Sequence, residues 1–145
     1  MPRCCVVALP VLLLGCNTAQ KNCEHARDVL AAMAEQSAKE ALATVDPRRR
    51  GELEKDAKAE VERLRATFVG HCMALDDEGK ECIARIDDFK RIDAELDVAI
   101  ASCAKDTHGV PDDLCRKQAI AAAEEKLGTC KAELDALTEK VFGGL

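Results

Sequence analysis

Nine cysteines and three histidines are the side chains in this 145-residue sequence whose types could do chemistry. Two of the histidines stand beside cysteines, in Cys23-x-His25 and His71-Cys72. Thiolate and imidazole together suit zinc or copper. If folding brings these pairs to one place near Cys82, then Cys23, His25, His71 and Cys72 are candidate metal ligands. A cysteine beside a histidine could also serve as an activated nucleophile. Neither reading has the spacing that would strengthen it, because no C-x-x-C or H-x-x-x-H accompanies these residues and no third group is set to orient a histidine. Oxidation of the cysteines in pairs is the favoured reading, with surface histidines.

The acidic pairs Asp76-Asp77, Asp87-Asp88 and Asp112-Asp113 could in principle do acid–base work or hold calcium. Each flanks an expected helix start or an exposed face, where acids cap free amides and complement the helix dipole. No glycine-rich phosphate loop, serine nucleophile elbow or metal-hydrolase helix motif is present. No enzyme activity, cofactor or catalytic residue is therefore expected.

What holds these residues in place begins with the first sixteen. Met1-Pro2-Arg3 carries one positive charge and no acid, and the chain then runs apolar from Cys4 to Leu14, interrupted by Pro10. Eleven helical residues reach only about 16 Å, roughly half of a hydrocarbon core, so this is a targeting segment rather than a span. It ends in Leu13-Leu14-Gly15-Cys16, which resembles the lipobox of bacterial lipoproteins. The resemblance implies a cut between Gly15 and Cys16 and lipid on the Cys16 thiol. Two or three acyl chains make such attachment stable, where one gives only marginal binding. In those lipoproteins the next residue biases sorting, and Asn17 rather than aspartate points to the outer membrane, on its periplasmic or surface side.

Residues 1–15 are thus read as a removed signal peptide, 16–22 as the lipidated cysteine with a short polar tether, and 23–145 as one domain. Cys4 and Cys5 leave with the signal and Cys16 goes to lipid. Cys23, Cys72, Cys82, Cys103, Cys115 and Cys130 remain. An even set in an exported chain is the expected disulfide framework. Losing Arg3 leaves 20 Lys+Arg against 27 Asp+Glu, a formal charge of −7 that argues against nucleic acid as a partner.

Apolar residues from Cys23 to Val45 recur at spacings of three and four, the mark of an amphipathic helix. Asp46-Pro47 ends that helix and starts the next, whose stripe runs Leu53, Ala57, Val61, Leu64, Phe68, Cys72 and Leu75. Its charged face, with Arg48, Arg49, Glu52, Lys55, Glu62 and Arg63, reads as solvated surface. Asp76 to Gly79 is a turn and cap, followed by a third stripe from Cys82 to Cys103 in which Asp87-Asp88 could mark a kink or break. Pro111-Asp112-Asp113 starts a fourth stripe reaching Val141, with a bend at Gly128 allowed by its poor helix propensity. No segment alternates with period two, and Trp and Tyr are absent. The expected fold is all-α: an antiparallel up-down bundle of about four helices, stapled by disulfides.

In such a bundle Cys23, Cys72 and Cys82 share one end, and Cys103 and Cys115 the other. Cys130 stands about 22 Å along its helix from Cys115, back toward the first group. A bond needs Cα atoms within about 7 Å, which pairs Cys103 with Cys115 and leaves Cys130 to join Cys23, Cys72 or Cys82. Of these three connectivities, Cys23–Cys72 with Cys82–Cys130 is preferred.

The whole pattern resembles small helical, cysteine-containing bacterial lipoproteins. The function expected is that of a membrane-anchored, non-enzymatic structural or protein-interaction module. Its partners would be membrane lipid, through Cys16, and a cell-envelope protein. The alternative is a periplasmic binding or inhibitor module for a small ligand, a metal or a secreted enzyme.

Overall fold

The computed structural model describes residues 10–142, with side chains from residue 18 onward. Most of the signal segment, at 1–9, and the closing Gly143-Gly144 lie outside the described residues, as does the side chain of Cys16. The described residues form six helices: α1 (Pro10–Ala43), α2 (Pro47–Met73), α3 (Asp77–Ala84), α4 (Ile86–Ala101), α5 (Asp113–Leu127) and α6 (Cys130–Phe142). The only extended pairing among them is an isolated bridge between Lys105 and Pro111.

Six helices replace the expected four because the third and fourth stripes are each divided. The third breaks at Arg85, whose φ of −99° and ψ of 16° leave the helical region, just ahead of Asp87 and Asp88. Those acids then fall in the first turn of α4, where the exposed amides favour negative charge. The fourth breaks at Gly128, which adopts φ +58°, a conformation that glycine reaches without a Cβ clash. Beyond it α6 does not prolong α5. It carries Val141 and Phe142 back against Ala34, Leu64 and Phe68, on α1 and α2.

The chain from 16 to 22, expected as a tether, is part of α1, which runs unbroken into the domain. Asp46 caps α2 by accepting from the Arg48 amide at 2.8 Å, with Pro47 in the first helical turn. α1 and α2 form an antiparallel hairpin: Cys23 is bonded to Cys72 near its open end, and Arg65 donates to Glu35 at 2.7 Å farther along. α4 and α5 form a second hairpin, tied by Cys103–Cys115 and by Lys126 donating to Glu95 at 2.7 Å.

The core gathers where these elements meet. Cys23, Ala26, Ala31, Leu64, Phe68, Cys72, Cys82, Ile83, Ile86 and Leu137 are all buried there, and no buried side-chain polar atom among the described residues lacks a partner. Burial stops abruptly along the first hairpin. From residue 32 to residue 60 no side chain is buried, so the distal halves of α1 and α2 form a two-helix arm standing clear of a compact head.

Candidate functional site

The structure pairs all six domain cysteines. Cys23 joins Cys72 with Cα atoms 5.8 Å apart, Cys82 joins Cys130 at 5.4 Å, and Cys103 joins Cys115 at 5.9 Å. Their sulfurs are committed to one another, which removes the thiolates that a metal site or a nucleophile at Cys23 or Cys72 would need. His25 donates from Nε2 to Asp87 Oδ2 at 2.9 Å, an exposed pair that joins α1 to α4. His71 is half-buried in the last turn of α2. Among the described residues no group of three His, Cys, Asp or Glu is placed to hold a metal ion.

Cys16 sits on the backbone of α1, seven residues before Cys23. At about 1.5 Å per residue, its Cα stands about 10 Å along the axis from the first disulfide and about 40 Å from the far end of α1. No described helix is long and apolar enough to cross a membrane.

The loop between α4 and α5 is the most tightly organised irregular segment. Asp106 Oδ1 accepts from the amides of His108 at 2.8 Å and Val110 at 2.9 Å, and Gly109 turns the chain with φ +78°. Cys103–Cys115 closes the loop from behind. Val110, Val98 and Leu114 around it are left exposed.

No family model, curated protein or solved structure matches the chain.

Two hollows stand out. A small apolar cavity of about 200 Å³ lies among Leu30, Phe68, Phe89, Leu96 and Leu127, with Asp93 at its rim. Burial against these walls, then the charge of Asp97, raises the Asp93 carboxyl above its ordinary range. Nearby, the Lys126 ammonium holds Glu95 below the usual carboxylate range.

The larger hollow, about 630 Å³, is an open groove along the arm. Ala38, Leu42, Ala57 and Val61 floor it. The α2 rim carries Arg50, Glu54, Lys58 and Glu62, one residue every four and alternating in sign. Such neighbours on a helix commonly pair. Here none of the four makes an ion pair among the described residues, and Arg50 reaches only the Val45 carbonyl, at 3.5 Å. The charged face expected as solvated surface, Arg48, Arg49, Glu52, Lys55, Glu62 and Arg63, shares only Glu62 with this rim, and the groove was not foreseen. The four-residue alternation of sign was the signal that could have found it.

Proposed function

We propose that the chain is a membrane-anchored, non-enzymatic bacterial lipoprotein. Lipid on Cys16 holds it in the cell envelope, at the outer membrane, and its helical domain acts as a structural or protein-interaction module. The observation that carries this reading is the closed set of disulfides: Cys23, Cys72, Cys82, Cys103, Cys115 and Cys130 are used up among themselves. Cys16 is not needed to complete that set, and Leu13-Leu14-Gly15-Cys16 assigns it to lipid. The unbroken backbone of α1 from Cys16 into the head supports a second element of the reading, that the anchor holds the domain by a stiff rod rather than a floppy tether. The two hairpins, packed through α3 and α6, are read as an elaborated up-down bundle.

The test is Cys16→Ser expressed in a bacterium with lipoprotein processing. The native chain is expected in the membrane fraction with a lipid mass increment, and the variant in the soluble fraction without one. A lipid-modified, membrane-bound Cys16→Ser product contradicts the anchor.

The alternative, a binding or inhibitor module, draws on the stapled loop that presents Val98, Val110 and Leu114 to solvent. Elemental analysis of protein purified without chelator separates its metal version: stoichiometric zinc or copper with free thiols would replace the disulfide scaffold.

A further inference from the structure

We infer that the arm is a self-association surface, on which a second copy of this chain stacks its own arm face to face and antiparallel about a two-fold axis between Glu54 and Lys58. The inference deepens the reading of the chain as an interaction module and rests on that part of it, but not on the anchor. Association and lipid on Cys16 are measured separately, so either can fail alone.

The rim charges select the occupant. Arg50, Glu54, Lys58 and Glu62 span about 18 Å of α2 in the order plus, minus, plus, minus. A partner of one sign, such as a polyanion, meets as much repulsion as attraction along such a row. A second copy laid face to face but parallel sets the row against α1, whose rim offers only Lys39 and a Glu35 already held by Arg65. Reversed about the midpoint of the row, the same copy sets Arg50 against Glu62 and Glu54 against Lys58, so every member meets its opposite. A two-fold interface is self-complementary in this way, residue i meeting j and j meeting i.

The other rim offers no conflict. Glu35 is already held by Arg65, at 2.7 Å, and the same reversal carries Lys39 to the level of Ala43 in the second copy. The floor suits close approach, because Ala38 and Ala57 are small and the half-buried Leu42 supplies the apolar contact. These residues lie on the stretch of hairpin that no other helix covers.

The size of the surface sets the strength. A face about 20 Å wide and about 20 Å long gives roughly 800 Å² buried in total, in the range of weak, transient contacts. Association is therefore expected at high micromolar concentration in solution and at lower bulk concentration wherever copies are crowded together.

Sedimentation equilibrium of the full chain in mild detergent tests this. The weight-average mass should climb toward that of a dimer with concentration, less steeply at high salt. Glu54→Lys alone and Lys58→Glu alone each set like charges across the axis and should weaken association about tenfold or more. The double variant Glu54→Lys/Lys58→Glu restores opposite charges and should return it to within about threefold of the native value. An equimolar mixture of the two single variants should associate as a heterodimer, since positions 54 and 58 are then both positive in one copy and both negative in the other, while Arg50 still meets Glu62 at either end. Both side chains are exposed, so helix content by circular dichroism should be unchanged; a variant that loses it is replaced by Arg50→Glu or Glu62→Arg on the outer rung of the same ladder. A native chain that stays monomeric throughout, single variants that associate like the native chain, or a mixture that fails to associate would overturn the inference.

Discussion

The two hairpins of this molecule are tied at opposite ends. α1/α2 is bonded near its open end, by Cys23–Cys72 inside the head, and its far end is a capped turn with no cross-link. α4/α5 is bonded at its closed end, where Cys103–Cys115 locks a short loop, while its open end is continued into the head by α3 and α6. The bond between Cys82 and Cys130 then fixes those two connecting helices to each other. Among the described residues all three cross-links thus lie in the head or in the second hairpin, and the arm has none. A thin, alanine-rich core gains most from staples, whereas two long, uncovered helices must rely on propensity, a cap and whatever covers their shared groove.

The largest expected contrast between the regions is in packing. Phe68 is 2% exposed at the centre of the head, and Phe68→Ala should cost about 3–5 kcal/mol in chemical denaturation. Leu42→Ala, on the half-buried floor of the arm, should cost about 1 kcal/mol or less. Equal losses at the two sites would break the division into head and arm.

The disulfides should separate next. Cys23–Cys72 spans 49 residues and Cys103–Cys115 spans 12, so chain entropy assigns about 4 kcal/mol to the first and about 3 kcal/mol to the second. Paired Cys→Ser variants, compared in their denaturation midpoints, should fall in that order. Loss of the shorter bond should act mainly on the loop around Asp106, seen as faster amide exchange at His108 and Val110.

A smaller effect belongs to the arm alone. Asp46→Ala removes the carboxylate that accepts from the Arg48 amide and should cost about 1 kcal/mol. Hydrogen exchange should speed up at the α2 start in this variant and remain unchanged at Leu64 and beyond, because the turn is remote from the head.

The smallest is electrostatic. The Asp93 carboxyl has a folded pKa raised above its unfolded value, so its ionisation opposes folding at neutral pH, and that cost disappears as pH falls through the folded pKa. Asp93→Asn should therefore raise Tm at pH 7, by about 1–2 °C for so exposed a group, and leave it unchanged near pH 3. A variant less stable than the native chain at pH 7 would contradict that sign.

Much of the head was legible in the sequence because its signals are local. Three- and four-residue spacing marks the helical stripes, Asp46-Pro47 and Asp112-Asp113 mark the starts, and helix rise pairs Cys103 with Cys115 and leaves three connectivities open, the preferred one among them being the one the structure contains. Gly128 was legible only as a weak point. That α6 folds back along α2, instead of prolonging α5, depends on Leu137 and Val141 finding Leu64 and Phe68, a contact that periodicity cannot foresee. The arm was hidden for a related reason. Leu42, Leu53 and Ala57 continue the same stripes as Leu30, Leu64 and Phe68, and nothing along the chain reveals that α4 and α6 cover one half of the hairpin and leave the other open. The candidate metal set, Cys23, His25, His71 and Cys72, drew on neighbours in sequence, whereas the sulfur of Cys72 and the carboxylate of Asp87 are the groups that Cys23 and His25 meet in space.

The central claim, that Cys16 carries lipid while the six later cysteines bond one another, is tested most directly by intact mass and non-reducing peptide mapping of the protein from its native host. The account predicts a chain beginning at Cys16 with a lipid increment on that residue, and cross-linked peptides joining Cys23 to Cys72, Cys82 to Cys130 and Cys103 to Cys115. An unmodified Cys16, or a Cys16 found in a disulfide with any of those six, would contradict it.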